Sequence, residues 1–193
     1  AYMSGVFGWI PRERTDSLNS RIMIMGDSMT HRDWYQIDTY VSPEGNATLG
    51  RTGIGIFNAE PQPHVSTDGN LILFFTGELF LNNFHALLPD VPADLKKLSH
   101  PELILELYNL YGPTCFEKLE GLFILTLFDR NKNLLYVSND HYGSYPLYYA
   151  VGEFRFLFSP EYKAIIEHPQ FTKKINLTAL AEYIRFQRVL GDK

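Results

Sequence analysis

Met3-Ser4-Gly5-Val6-Phe7-Gly8-Trp9-Ile10 is an apolar run with two glycines and, near its tip, one hydroxyl. Branched and aromatic side chains suit a pleated, half-buried surface, and glycines within such a run admit close approach by neighbours. The run reads as a strand. What lies downstream decides what its hydroxyl could be for.

Working outward, Asp16 is placed to cap a helix whose Leu18, Ile22, Met25 and Met29 recur at spacings of four, three and four, one apolar face. Thr48 to Phe57, with Gly50, Gly53 and Gly55, suits a strand lying close to other backbone, and Pro61 to Pro63 ends it. Leu71 to Phe75 is a strongly apolar strand closing on Thr76-Gly77-Glu78. A helix is expected to begin within Leu79 to Leu88, and another over Pro101 to Tyr111, with Leu103, Ile104, Leu107 and Leu110 on one face and Gly112-Pro113 stopping it. Then come strands at Leu122 to Phe128, Leu134 to Ser138, Leu147 to Val151 and Phe154 to Phe158, joined as hairpins. Two short helices, Pro160 to Glu167 and Leu177 to Phe186, follow. Hairpins without regular βαβ alternation predict an α+β class with antiparallel sheets covered by helices.

The chain has 193 residues, 45% of them hydrophobic, enough for one sizeable core, and one domain is expected. Seventeen Lys and Arg against 22 Asp and Glu give a formal charge of -5 with no basic block, which argues against nucleic acid and an anionic membrane as partners. The single cysteine, Cys115, has no internal partner, and no signal segment or long apolar run is present, so a cytoplasmic setting is expected. The Asn-x-Thr triplets at Asn46 and Asn176 are then read as chance.

Three patterns point elsewhere and do not hold up. Gly26-Asp27-Ser28 looks like the nucleophile block of certain lipases and esterases, but the Asp-x-x-His that would supply their base is missing, so Gly26 is read as ending the first helix. The six histidines are scattered without metal-ligand spacing, and no metal is expected. Gly50 to Gly55 lacks phosphate-loop spacing and reads as a glycine-rich strand.

A combination in fixed order is more specific: Met3 to Gly8, His31-Arg32, Arg51 eleven residues before Gln62-Pro63, Thr76-Gly77-Glu78, Gly121-Leu122-Phe123 leading to Phe128-Asp129, and Asn139 to Gly143 before Pro146 to Tyr149. It resembles the class II glutamine amidotransferase domain of the asparagine synthetase family, an N-terminal-nucleophile hydrolase fold, over essentially the whole chain. The resemblance implies a four-layer αββα sandwich with two antiparallel sheets over residues 1–172. Residues 173–193 resemble that family's linker into an ATP-using synthetase domain. No cofactor is implied here; ATP and Mg belong to the synthetase half. The implied partners are glutamine or another small carboxylate ligand and the chain's own synthetase domain, and a homo-oligomer is compatible with the sequence.

In that family an N-terminal cysteine attacks the glutamine amide, its own α-amine acting as base. An amine with a pKa of about 8 can take the thiol proton near neutral pH. Ser4 holds the matching position, a poorer nucleophile whose amine sits in a peptide bond behind Met3, with Ala1-Tyr2 expected to precede a native start. The family's Asn-Gly-Glu supplies oxyanion donors; here Thr76 and Gly77 occupy those positions, and a threonine hydroxyl falls short of an asparagine amide. Arg51 matches the arginine that grips the substrate carboxylate, and Glu78 keeps one acid for its ammonium. The other acid is replaced by His100 in Ser99-His100-Pro101-Glu102, and His31 to Tyr35 departs from the family's His-Arg-Gly-Pro-Asp. The expectation is a glutaminase domain that no longer hydrolyses glutamine. The alternative is an active domain with Ser4 as nucleophile. Each retained residue also has a purely structural reading: Arg51 as a fold ion pair, Gly77 as a turn glycine, Tyr148-Tyr149 as packing.

Overall fold

The structure, a computed structural model, describes residues 4–13, 16–81, 92, 95 and 97–191. Strand β1, Gly5–Ile10, lies at the middle of a five-stranded antiparallel sheet. Its companions are β2 Gln36–Val41, β3 Thr48–Gly53, β8 Tyr148–Gly152 and β9 Arg155–Ser159, in the order β2-β3-β1-β9-β8. A second sheet runs β4-β5-β6-β7 from His64–Val65, Leu71–Leu79, Gly121–Asp129 and Leu134–Asn139.

The two-residue period of the strands sorts side chains into layers. Phe7 and Trp9 face helix α1, Leu18–Met29, whose Leu18, Ile22, Met25 and Met29 are all buried, with the short helix α3, Tyr162–Glu167, beside it. Val6, Leu49, Ile72, Phe74, Ile124 and Phe158 meet between the sheets. Leu73, Phe75, Phe123 and Leu125 pack on helix α2, His100–Tyr111. Helix, sheet, sheet, helix is the expected α+β sandwich. Glycine makes close stacking possible at Gly8, where an added Cβ would fall 2.5 Å from the Phe158 ring.

Several local expectations need correction. Helix α1 runs through Gly26 to Met29, because Gly26 lets the helix lie against Ile37 and Phe7, where a Cβ would meet atoms at 3.0 and 3.2 Å. Its N-cap is Ser17, not Asp16. Strand β2 has no counterpart in the expected elements: as an edge strand, exposed or half-buried along its length, it lacks an apolar signature. Leu79 ends β5 instead of opening a helix, and residues 82–88 of that expected helix lie outside the described residues. A 3₁₀ helix, Gly112–Lys118, follows α2 where a plain stop was expected. Helix α4, Leu177–Phe186, is capped by Asn176 Oδ1, which accepts from Ala179 N-H at 3.1 Å, yet buries none of its residues.

One buried histidine gives the fold a pH dependence. His168 is 1% exposed, lies edge-on to Trp9 at 4.6 Å and accepts at Nδ1 from Gln170 N-H at 3.3 Å. Burial, aided by the charge of Arg21, lowers its pKa from 6.5 to about 4. A depressed histidine stabilises the fold above the unfolded pKa, and that contribution is lost as pH falls through the window from 6.5 to about 4. Between pH 7 and 5 the loss is about 2 kcal/mol. Denaturant midpoints of His168→Phe should therefore fall less over that interval than those of the wild type; parallel curves would refute the assignment.

Candidate active site

Strand parity aims Ser4, Arg51 and Thr76 into the space between the sheets. Ser4 shares the side of Val6, Arg51 that of Leu49, and Thr76 that of Ile72 and Phe74. Val6 and Arg51 are register partners, so the first and second of these positions stand on neighbouring strands. Ser4 is 7% exposed and its Oγ accepts from Ile54 N-H at 3.1 Å.

Arg51 is 1% exposed and heavily engaged. Its Nη2 pairs with Asp38 Oδ2 at 2.9 Å, directly across the β2-β3 ladder, and donates to Glu60 O at 3.3 Å; its Nη1 donates to Asn58 O at 2.6 Å. Nε is buried and has no hydrogen-bond partner among the described residues. A guanidinium offers five donors in a fixed fork, so this one is locked in orientation with a donor to spare.

Beyond the two residues of β4, side chains take over the outer edge of β5. Its odd-numbered residues turn their backbone groups toward that edge. Leu73 pairs with His64. Phe75 N-H donates to Gln62 Oε1 and Phe75 O accepts from Gln62 Nε2, both at 2.8 Å. Gly77 N-H donates to Asn58 Oδ1 at 2.8 Å, and Leu79 N-H donates to His100 Nδ1 at 3.4 Å. Each exposed edge donor thus finds an acceptor, as buried backbone must. On the other edge, Phe123 N-H donates to Asp140 Oδ2 and Phe123 O accepts from Asp140 N-H.

Gly77 has φ +115, and a Cβ there would overlap the carbonyl oxygen of Leu122 and come within 2.9 Å of Phe123 Cα. Only glycine fits. Thr76 is 1% exposed, and its Oγ1 is buried with no hydrogen-bond partner among the described residues. His100 opens α2 just after the N-cap Ser99, and Glu102 Oε2 is engaged in the capping box, taking Ser99 N-H at 2.9 Å and Ser99 Oγ-H at 2.7 Å. Glu78 is exposed; its charge helps burial and Asp140 push the Tyr145 phenol up.

The hydrogen bonds therefore join Arg51 to Gly77 through Asn58, place Ser4 on the loop that leaves β3, and set His100 at the end of β5. Asp38, Asn58 and His64 were not singled out by sequence reasoning. Asp38 opposes Arg51 only once the register is known, and Asn58 is signalled weakly by its position in a glycine-rich loop. His64 is half-buried, and burial lowers its pKa, opposed by Glu60 and reinforced by Arg51. His31 lies apart from these contacts, with Nε2 2.9 Å from Glu161 Oε1. Ser28 Oγ donates to Met25 O at 2.7 Å inside α1, an ordinary helical contact. Among the described residues no cluster of His, Cys, Asp or Glu could hold a metal ion, and no helix is long and apolar enough to cross a membrane.

Comparison with known proteins identifies the family. The family described as "Glutamine amidotransferase domain" matches residues 3–193. The chain is 27% identical over 188 residues to Asparagine synthetase [glutamine-hydrolyzing] 3 of Bacillus subtilis (strain 168), covering 93% of this chain and 30% of that protein. It is 30% identical over 171 residues to Asparagine synthetase B [glutamine-hydrolyzing] of Escherichia coli (strain K12), covering 85% of this chain and 30% of that protein. A shorter match, 29% over 105 residues, joins 54% of the chain to 16% of Amidase chyE of Penicillium rubens. The chain thus spans under a third of the length of these relatives. The sandwich, the order of its residues and these matches agree: the chain belongs to the glutamine amidotransferase domains of the asparagine synthetase family.

Proposed function

We propose that this domain keeps the glutamine-site framework of its family but no longer hydrolyses glutamine, and that it serves within a protein whose synthetase domain forms an amide bond with ATP and Mg. In this reading Arg51 faces the carboxylate of a bound amino acid, and Gly77 N-H is the backbone oxyanion donor. Ser4 stands at the nucleophile position, and Glu78 and His100 flank the ammonium.

One observation carries the reading. At the oxyanion position the second donor of the family is replaced by Thr76, whose buried Oγ1 makes no hydrogen bond among the described residues. Loss of one such donor typically lowers the rate by about 10² to 10³. Two further features agree with it: His100 accepts from Leu79 N-H in place of offering a carboxylate, and the nearby Glu102 is held by Ser99.

The competing reading is an active domain with Ser4 as nucleophile. It is favoured by the buried, inward placement of the Ser4 hydroxyl and the retained Gly77 N-H. Helix α4 fits the synthetase-facing linker, since Leu177, Leu180 and Ile184 are 74%, 42% and 74% exposed. The test is steady-state glutamate release from glutamine by protein whose Ser4 amine is free, verified by intact mass. A rate equal to that of buffer is expected, and turnover well above it would overturn the proposal.

A further inference from the structure

Asn58 touches both anchor points that the proposed function assigns to glutamine. Its main-chain carbonyl accepts from Arg51 Nη1 at 2.6 Å, and its side-chain carbonyl accepts from Gly77 N-H at 2.8 Å. Glutamine carries the same pair of groups, a carboxyl on Cα and a carboxamide at the end of the side chain, with one more methylene between them. Asn58 has φ 53, a left-handed conformation that asparagine adopts more readily than most residues, and this twist lets one residue reach both donors.

We infer that Asn58 is an internal surrogate for a glutamine-class ligand, occupying the arginine with its main-chain carbonyl and the oxyanion donor with its carboxamide. The inference rests on the assignment of Arg51 and Gly77 as the two anchors. A carboxamide ligand entering the site displaces the Asn58 side chain from Gly77, and its apparent affinity is reduced by the stability of the closed arrangement. Gln62, two residues up the edge of β5, shows what a purely structural cap looks like: it takes both the N-H and the C=O of Phe75, whereas the acceptors of Arg51 are Asp38, Asn58 and Glu60. Asn58 takes the N-H of Gly77 and spans to the arginine.

Two variants test this. Asn58→Gly tolerates the positive φ and removes the carboxamide; Asn58→Asp keeps the shape and an acceptor oxygen. The readouts are hydrogen exchange at the Gly77 amide by NMR and the dissociation constant for L-glutamine from titration of the same signal. Expected for Asn58→Gly are faster Gly77 exchange and L-glutamine binding tighter by about 3- to 10-fold, the equilibrium equivalent of one net hydrogen bond. Asn58→Asp is expected to keep slow exchange and to gain no affinity. Unchanged Gly77 exchange in Asn58→Gly, the absence of any gain in glutamine affinity, or an equal gain in Asn58→Asp would each overturn the inference. A structural cap would alter exchange without moving ligand affinity. Glutamate release by the wild type sinks the lapsed-hydrolase reading but not this contact, whereas an unmoved Gly77 amide sinks the surrogate and leaves that reading standing.

Discussion

Gly77→Ala is expected to lower stability by more than about 4 kcal/mol, or to leave the chain unable to fold, as seen in urea denaturation and soluble yield. The reason lies in β5 and β6 alone. At φ +115 an added Cβ overlaps Leu122 O and crowds Phe123 Cα, and both are backbone of a central strand that cannot swing aside as a side chain can. Gly55→Ala is the control, since it too has positive φ, +74, but nothing within 4 Å of its Cβ position, and a loss of only about 1 kcal/mol is expected there. Equal losses at the two sites would show that backbone conformation, not contact with β6, decides the matter. Gly77 is therefore retained by the fold whether or not any chemistry survives.

Arg51→Met is expected to cost about 3 kcal/mol, read as a shift in urea midpoint without a change in slope. The substitution strands Asp38, whose side chain is 18% exposed, and removes the donors to Asn58 O and Glu60 O. Adding Asp38→Asn should recover part of that loss, because the uncompensated charge disappears along with the arginine. A loss below about 1 kcal/mol for Arg51→Met would mean that the arginine contributes little to the fold and is kept for a ligand. The structure thus supplies what the sequence leaves open for this residue: a named carboxylate partner across the ladder, and a buried Nε-H beyond it.

Layering was legible because it follows from period. Phe7 and Trp9 against Val6, and Leu73 and Phe75 against Ile72 and Phe74, divide by parity into the outer and inner faces that the apolar strands predict. Strand β2 was not legible, since Gln36 to Val41 carries polar residues on an edge, and with it went Asp38. The inhabitants of the β5 edge escaped for a different reason. Gln62, Asn58 and His100 lie 13, 19 and 21 residues from the donors they cap, and nothing local in the chain marks such a pairing. The positions of Thr76 and His100 follow from residue order, but their state, one hydroxyl with no hydrogen-bond partner among the described residues and one ring used as an acceptor, depends on tertiary packing. The end of α1 is not legible in sequence because a glycine inside a helix looks like a stop, whereas Gly26 accommodates Phe7 and Ile37 within the helix.

Glutamate release from glutamine should be measured side by side for two proteins of this fold, each with a free amine at residue 4: the wild type, and the combined Ser4→Cys, Thr76→Asn, His100→Asp variant. Wild-type release at the buffer rate, with the combined variant faster by at least about 10², is the expected result. Wild-type turnover well above buffer, with Ser4 shown by intact mass to carry the free amine, would contradict the view that this domain has kept its fold and lost its chemistry.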